Sequence, residues 1–185
     1  MERKIKAPIL EEEDITLRLM NEGDTDLIIR WRNTEFVRRN FIYQKPFTRQ
    51  GHETWTKEMI DTGKAVQFII CVKDTGKPVG SVYLRDIDEN HRKAEYGIFI
   101  GEKDALGRGF GTQAARLMIR YGFEELNLHK LMLRVLVENL PARKSYEKAG
   151  FVEEAYLKDE VFLENRYKDV IYMAVIREEK PENCM

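Results

Sequence analysis

Residues 101–123 read GEKDALGRGFGTQAARLMIRYGF, a glycine-dense loop that turns at once into an amphipathic helix. Gly107, Gly109 and Gly111 alternate with Leu106, Arg108 and Phe110, and Thr112 follows. Glycine loses more backbone entropy on folding than any other residue, so this spacing weakens both helix and strand. What it gains is access, because without β-carbons the N–H groups at the head of the next helix lie open. Those groups have no intrahelical partners, and the peptide dipoles add partial positive charge at the same end. A strand, a glycine loop and a helix in that order form an arrangement that holds phosphate. Thr112 and Arg108 add a hydroxyl and a charge.

Two familiar phosphate motifs do not fit. A P-loop needs Gly-Lys-Ser/Thr after its second glycine, and here Gly111-Thr112 comes without the lysine. A dinucleotide fingerprint needs G-x-G-x-x-G early in a parallel βαβ unit, whereas this spacing is G-x-G-x-G after several strands. On this segment alone a flexible turn with ordinary packing contacts stays open.

Upstream, Ile15 to Met20 alternates apolar and polar as a half-buried strand does. Asp24 or Thr25 caps a helix carrying Leu27, Ile28 and Trp31, and later Phe36 and Val37. Thr48 opens a second helical segment with Trp55, Met59 and Ile60, and Gly63 ends it. The period then changes. AVQFIICV (65–72), PVGSVYL (78–84) and AEYGIFI (94–100) read as strands joined by polar turns, an antiparallel meander. Downstream of the glycine loop, Ala114, Leu117, Met118, Tyr121 and Phe123 give the helix an apolar face. KLMLRVLV (130–137) is a strand, LPARKSYEKAG a helix ending in glycine, and Phe151 leads into a terminal strand pair that closes on KDVIYMAVI (168–176). This order indicates an α+β or mixed α/β fold in one continuous domain over residues 1–185, with a core of about 14–178 and frayed tails.

The 185 residues are 43% hydrophobic, enough to bury a core, and 34% charged. A net charge of -1 lacks the basic footprint of a duplex-binding protein, so nucleic acid is not an expected partner. Cys71 in an apolar run and Cys184 in the tail make neither a metal nor a disulfide framework and suit a reducing compartment. No apolar stretch has the length of a signal peptide or a membrane span. Cytoplasmic is the expected location, without membrane attachment. His52, taken as a helix-surface residue, gives no metal spacing with His91 and His129.

Three stretches together carry a family resemblance: AEYGIFIG, LGRGFGTQA with the helix LMIRYGFEELNLHKL, and ENLPARKSYEKAGFVEEA. The chain resembles the GCN5-related N-acetyltransferases, in the branch of ribosomal-protein and amino-sugar acetyltransferases. The likeness runs over roughly Asp14 to Glu178. Asn139 followed by Ser145-Tyr146-Glu147-Lys148-Ala149-Gly150-Phe151 is its more diagnostic half. The resemblance implies a central, mostly antiparallel, splayed mixed sheet flanked by helices, and acetyl-CoA as co-substrate without a metal.

By the same resemblance the loop from Leu106 to Thr112 cradles the pyrophosphate. Arg108, Gly109, Gly111 and Thr112 meet it, and Gly107 and Phe110 shape the turn. Relatives often carry Gln or Arg where this chain has Leu106, so a side-chain contact is missing there. Ile98, Phe99 and Ile100 would offer strand-edge amides and carbonyls to the pantetheine arm, which can add to a strand edge as a peptide does. Tyr146 matches a tyrosine that protonates the leaving thiolate, a role that general-acid chemistry favours; packing beneath Phe151 is the plain alternative. Asn139 matches a residue that hydrogen-bonds the cofactor arm, against a simple loop-capping role. Glu95 matches the position of a general base. Alternation puts Glu95, Gly97 and Phe99 on one face of their strand and Tyr96, Ile98 and Ile100 on the other. Burial on so apolar a strand would tune a carboxylate toward base chemistry, and an exposed glutamate paired with Arg92 or Lys93 is the alternative.

For the acceptor amine, WRNTEFVRRNF (31–41) and GHETWTKEM (51–59) stand out. Trp31, Arg32, Asn33 and Arg38 are the candidate contacts, since arginines among aromatics grip phosphate or stack on a base. Their wording resembles enzymes that acetylate nucleotide-linked amino sugars. Core packing is the favoured reading for Trp31 and Trp55. A protein N-terminus or a polyamine is the alternative acceptor, though the acidic run Glu11 to Asp14 is more simply solvated. A non-catalytic CoA-binding sensor is the rival of another class. A homodimer is left open.

Overall fold

The structure, a computed structural model, describes residues 9–178. Cys184, read above as a tail thiol, lies outside them. Eight strands form one sheet in the order β1-β2-β3-β4-β5-β6-β8-β7. They are β1 (Leu10–Glu11), β2 (Ile15–Leu19), β3 (Val66–Val72), β4 (Pro78–Asp88), β5 (Lys93–Ile100), β6 (Lys130–Leu136), β7 (Val152–Leu163) and β8 (Arg166–Ile176). The helices are α1 (Thr25–Asn33), α2 (Glu35–Arg38), α3 (Arg49–Trp55), α4 (Phe110–Glu124) and α5 (Leu140–Ala149). Every strand pairing is antiparallel except β5 with β6. The mixed, mostly antiparallel sheet with flanking helices is the architecture the resemblance implies.

Strand β3 is buried on both faces because the sheet carries two cores. Phe68 and Ile70 join Val82, Leu84, Ala94 and Tyr96 against α4, whose Ala114, Leu117, Met118 and Tyr121 are fully covered. Each large apolar side chain so buried is worth about 1.5–3 kcal/mol. On the opposite face Ile69, Cys71 and Phe99 pack against Ile28, Trp31 and Val37.

Some local expectations are revised. The apolar spacing from Leu27 to Val37 reads as one helix, but the chain is extended at Thr34 (ψ 141°), which separates α1 from α2. There the Thr34 hydroxyl donates to the Trp31 carbonyl at 2.7 Å. Asp24 stands at the head of α1 without capping it through its side chain. Its carboxylate instead accepts the Asn21 N–H (2.9 Å) and two Arg18 donors (2.7 and 2.8 Å). Thr48 does cap α3, accepting the Gly51 N–H at 3.0 Å. Strand β4 runs on to Asp88, through residues whose polarity suggested a loop. His52 is not on the surface: it is 1% exposed, with the Phe47 ring 5.8 Å away and, among the described residues, no hydrogen-bond partner for either ring nitrogen.

The feature that builds the site is the β5–β6 contact. It lasts three residue pairs, Lys93 with Lys130, Ala94 with Leu131 and Glu95 with Met132. Beyond it β5 stays with β4 and β6 stays with β8, so the sheet parts.

Candidate active site

Strand β5 leaves β6 at Tyr96 with one edge bare. The N–H and C=O groups of a strand alternate between its edges, and the Gly101 N–H is given to Val79 on β4 at 2.8 Å. By that alternation Phe99 and Gly97 turn their backbones to β4, while Tyr96, Ile98 and Ile100 face the gap. Ile98 and Ile100 thus lie where an extended amide-bearing arm can pair. Phe99, expected to do the same, does not: its backbone belongs to β4, and its ring lies with Trp31 and Phe41, centroids 6.2 and 6.0 Å away.

The gap runs into the glycine loop. Gly107 and Gly109 take φ of +74° and +80°, a region that side chains with a β-carbon adopt only under strain. Gly109 is the N-cap of α4, and its carbonyl accepts the N–H groups of Thr112 and Gln113, both at 3.1 Å. Among the described residues no acceptor engages the N–H of Gly107, Arg108, Gly109, Phe110 or Gly111. A β-carbon at Gly107 or Gly109 would meet nothing within 4 Å, so the loop faces open space. Phe110 turns its ring into the core, 1% exposed, and Arg108 stacks its guanidinium 4.6 Å from that ring. Leu106 is exposed. The Thr112 hydroxyl meets the Ser145 hydroxyl at 3.0 Å, which ties the head of α4 to α5. An unpaired edge leading to free amides at a helix N-terminus fits a diphosphate on an extended arm.

Tyr146, on α5, sits across from Tyr96, with ring centroids 5.9 Å apart, and 6.0 Å from Phe151. Burial among these rings pushes the Tyr146 phenol far up, and the nearby Tyr83 phenol adds to the effect. Tyr146 therefore carries its proton at neutral pH. The Tyr96 hydroxyl is buried beside it and, among the described residues, has no hydrogen-bond partner. Asn139 accepts the Ala142 N–H through its side-chain oxygen at 3.4 Å, so it caps α5.

The opposite face of β5 carries the charges. Glu95 is paired neither with Arg92 nor with Lys93. Its Oε1 accepts Arg85 of β4 at 2.7 Å and lies 3.5 Å from Arg134 of β6. Tyr83 lies over Gly97, and Trp55 lies 6.0 Å from Tyr83. On β8, the Tyr172 hydroxyl donates to the Met132 sulfur. Arg85, Arg134, Tyr83 and Tyr172 had no signal of their own in the chain. They converge through strand register, and only the alternation in β4 and β6 hinted at it.

The four acceptor candidates separate. Trp31 is 1% exposed, gives its indole N–H to Glu102 at 2.7 Å and packs on Gly101, so it is a core residue and not a ligand contact. Asn33 exchanges two 2.8 Å hydrogen bonds with the Phe47 backbone and so pins the loop after α2. Arg32 lies beneath that loop, 3.4 Å from the Phe41 ring centroid and 5.2 Å from that of Phe47. Arg38 is half-buried and makes no ion pair among the described residues. The acidic N-terminal run is already engaged: Glu11 with Lys73 at 3.1 Å, Glu12 with Arg116 at 3.3 Å, and Asp14 with Gln113 at 2.7 Å. Among the described residues, no group of three or more His, Cys, Asp or Glu is arranged to hold a metal ion, and no helix is long and apolar enough to cross a membrane.

Residues 14–152 match the family described as "Acetyltransferase (GNAT) domain". The chain is a GNAT acetyltransferase. Two similar GNAT proteins illustrate the range of the family. The spermidine N(1)-acetyltransferase of Vibrio cholerae is 34% identical over 166 residues, 88% of this chain and 93% of that protein. The putative ribosomal N-acetyltransferase YdaF of Bacillus subtilis is 34% identical over 180 residues, 90% of this chain and 93% of that protein. Among solved structures, the V. cholerae spermidine N-acetyltransferase in complex with CoA and spermine superposes with a TM-score of 0.82. It is 31% identical, over 89% of this chain and 96% of that one. The fold is the GNAT fold, the enzyme is an N-acetyltransferase, and acetyl-CoA is its acyl donor.

Proposed function

We propose that the enzyme moves the acetyl group of acetyl-CoA directly to a primary amine of a small molecule, with both substrates bound at once. The observation that carries this reading is the bare β5 edge leading into five unengaged amides at the head of α4. In the proposed complex those amides and Arg108 hold the pyrophosphate, Thr112 adds its hydroxyl, and Ile98 and Ile100 pair with the pantetheine amides. The thioester supplies the activated acyl group. The amine approaches from the Glu95 face of β5, where Tyr83, Arg85, Arg134 and Tyr172 gather.

The neutral amine attacks the carbonyl carbon, a C–N bond forms, and the C–S bond breaks. Tyr146 gives its proton to the departing sulfur and regains one from solvent. The phenol is protonated at neutral pH, the form a general acid needs. On attack the amine nitrogen gives up one proton, to water or to Glu95, whose Oε2 is the oxygen not taken by Arg85 and Arg134.

A polyamine acceptor is supported by the names of similar proteins, spermidine N(1)-acetyltransferases among them. A nucleotide-linked amino sugar is supported by the arginines on the acceptor face. The test is CoA-thiol release by the purified protein over a panel of primary amines, with mass spectrometry of each product. Release that tracks one added acetyl group supports the reading. Absence of both release and CoA binding would reject it.

A further inference from the structure

Arg32 is a cation beside the Glu95 face of β5 that has no acidic partner among the described residues. Arg85 and Arg134 share Glu95, whereas among the described residues Arg32 has no ion pair and donates no hydrogen bond. Its Nη1 is sealed from solvent without a partner. The surroundings are aromatic: Phe41, Phe47 and Phe99 have ring centroids 3.4, 5.2 and 5.9 Å from the guanidinium carbon. Burial presses against its charged form; the Tyr83 phenol opposes that pressure and the charge of Arg85 adds to it. Cation–π contact with the rings offsets part of the solvation that a guanidinium loses on burial, and it leaves the Nη1 N–H groups without an acceptor among the described residues.

The site is nevertheless built. Trp31, on one side, anchors α1 through Glu102 and Gly101. Asn33, on the other, clamps the loop that lays Phe41 and Phe47 over Arg32. Held between two fixed neighbours, the guanidinium is preorganised, with a planar fork that suits an oxyanion. Tyr83 and Arg85 are close enough to feel its charge, and they stand beside Glu95 and Gly97, where β5 leaves β6.

We propose that Arg32 receives an oxyanion of the acceptor, so that the amine acetylated here belongs to a small molecule that also bears a carboxylate or a phosphate. The proposal rests on the acetyltransferase reading above and narrows its acceptor. It runs against a polycation such as spermidine, which would bring further positive charge to an unpaired arginine.

Matched amines test it. With acetyl-CoA saturating, kcat/KM is compared for 4-aminobutyrate against putrescine, and for glucosamine 6-phosphate against glucosamine. At least one anionic member should exceed its partner tenfold or more. Arg32→Met, which keeps an apolar stem among the rings, should raise KM for that member tenfold and shift the ratio toward the uncharged or cationic amine. Arg32→Lys should restore part of it. CoA-induced thermal stabilisation of each variant reports folding.

If none of these amines turns over, inorganic phosphate decides on the CoA-saturated protein, whose pyrophosphate cradle is already filled. Phosphate should raise Tm in the wild type and not in Arg32→Met; equal shifts overturn the proposal. Preferred turnover of spermidine or putrescine, or equal loss on both members of a pair in Arg32→Met, overturns it while leaving the acetyltransferase intact. Failure to bind CoA at all counts against the acetyltransferase reading instead.

Discussion

The ring of Tyr83 fills the space that a β-carbon on Gly97 would need. Those residues are register partners on β4 and β5, so the absence of a side chain on one strand is what admits an aromatic ring from the other onto the Glu95 face. Gly97→Ala should force the ring aside at the cost of an overpacked site, about 1–3 kcal/mol. In a Tyr83→Ala background the same substitution should cost much less. Urea unfolding of the four proteins measures the coupling; identical costs in both backgrounds would remove the ring as the obstacle.

Tyr146→Phe keeps the ring contacts with Tyr96 and Phe151 and removes only the hydroxyl. Turnover should fall about 100-fold, the lower range of general-acid contributions, and CoA affinity by calorimetry should hold. A variant that turns over like the wild type takes Tyr146 out of the proton path and leaves it as packing.

Gly109 has a positive φ and open space around it. Gly109→Val should therefore cost the fold roughly 1–2 kcal/mol of backbone strain. CoA affinity should drop more sharply, about tenfold for each 1.4 kcal/mol of lost contact. Calorimetric titration beside urea unfolding separates the two effects. An unchanged CoA affinity would mean that the diphosphate does not lie on this loop.

His52 gives the fold a pH dependence. Burial lowers its pKa, Arg49 lowers it further, and Glu53 partly opposes them. The unfolded chain therefore takes up the proton first, near the ordinary histidine value of about 6.5. Stability is full above that pH and declines as pH falls from there through the depressed native value. His52→Leu should flatten this part of the profile. Tm between pH 7.5 and 5.5, compared with wild type, is the measurement, and a slope equal in both proteins takes His52 out of the effect.

The glycine loop, the meander and the faces of β5 were legible because each rests on local chemistry: glycine freedom, turn residues and strand alternation. What was not legible depends on register. Arg85, Glu95 and Arg134 meet because three strands align them, and nothing near Glu95 in the chain identifies those partners. The family resemblance puts Phe99 on the cofactor edge, and a single hydrogen bond from Gly101 to Val79 reverses that by deciding which residues face the gap. The break at Thr34 is hidden in the sequence because apolar spacing continues across it. His52 looked polar and exposed, and tertiary packing against Phe47 overrode that.

Only three rungs join β5 to β6, so the molecule is two sheet halves stitched along a short seam. A donor arm lying between the separated edges would act as the missing thread. Hydrogen exchange in β6–β8 should then slow on adding CoA, far beyond the residues the ligand touches, because the coenzyme would be mending the sheet as well as feeding the reaction.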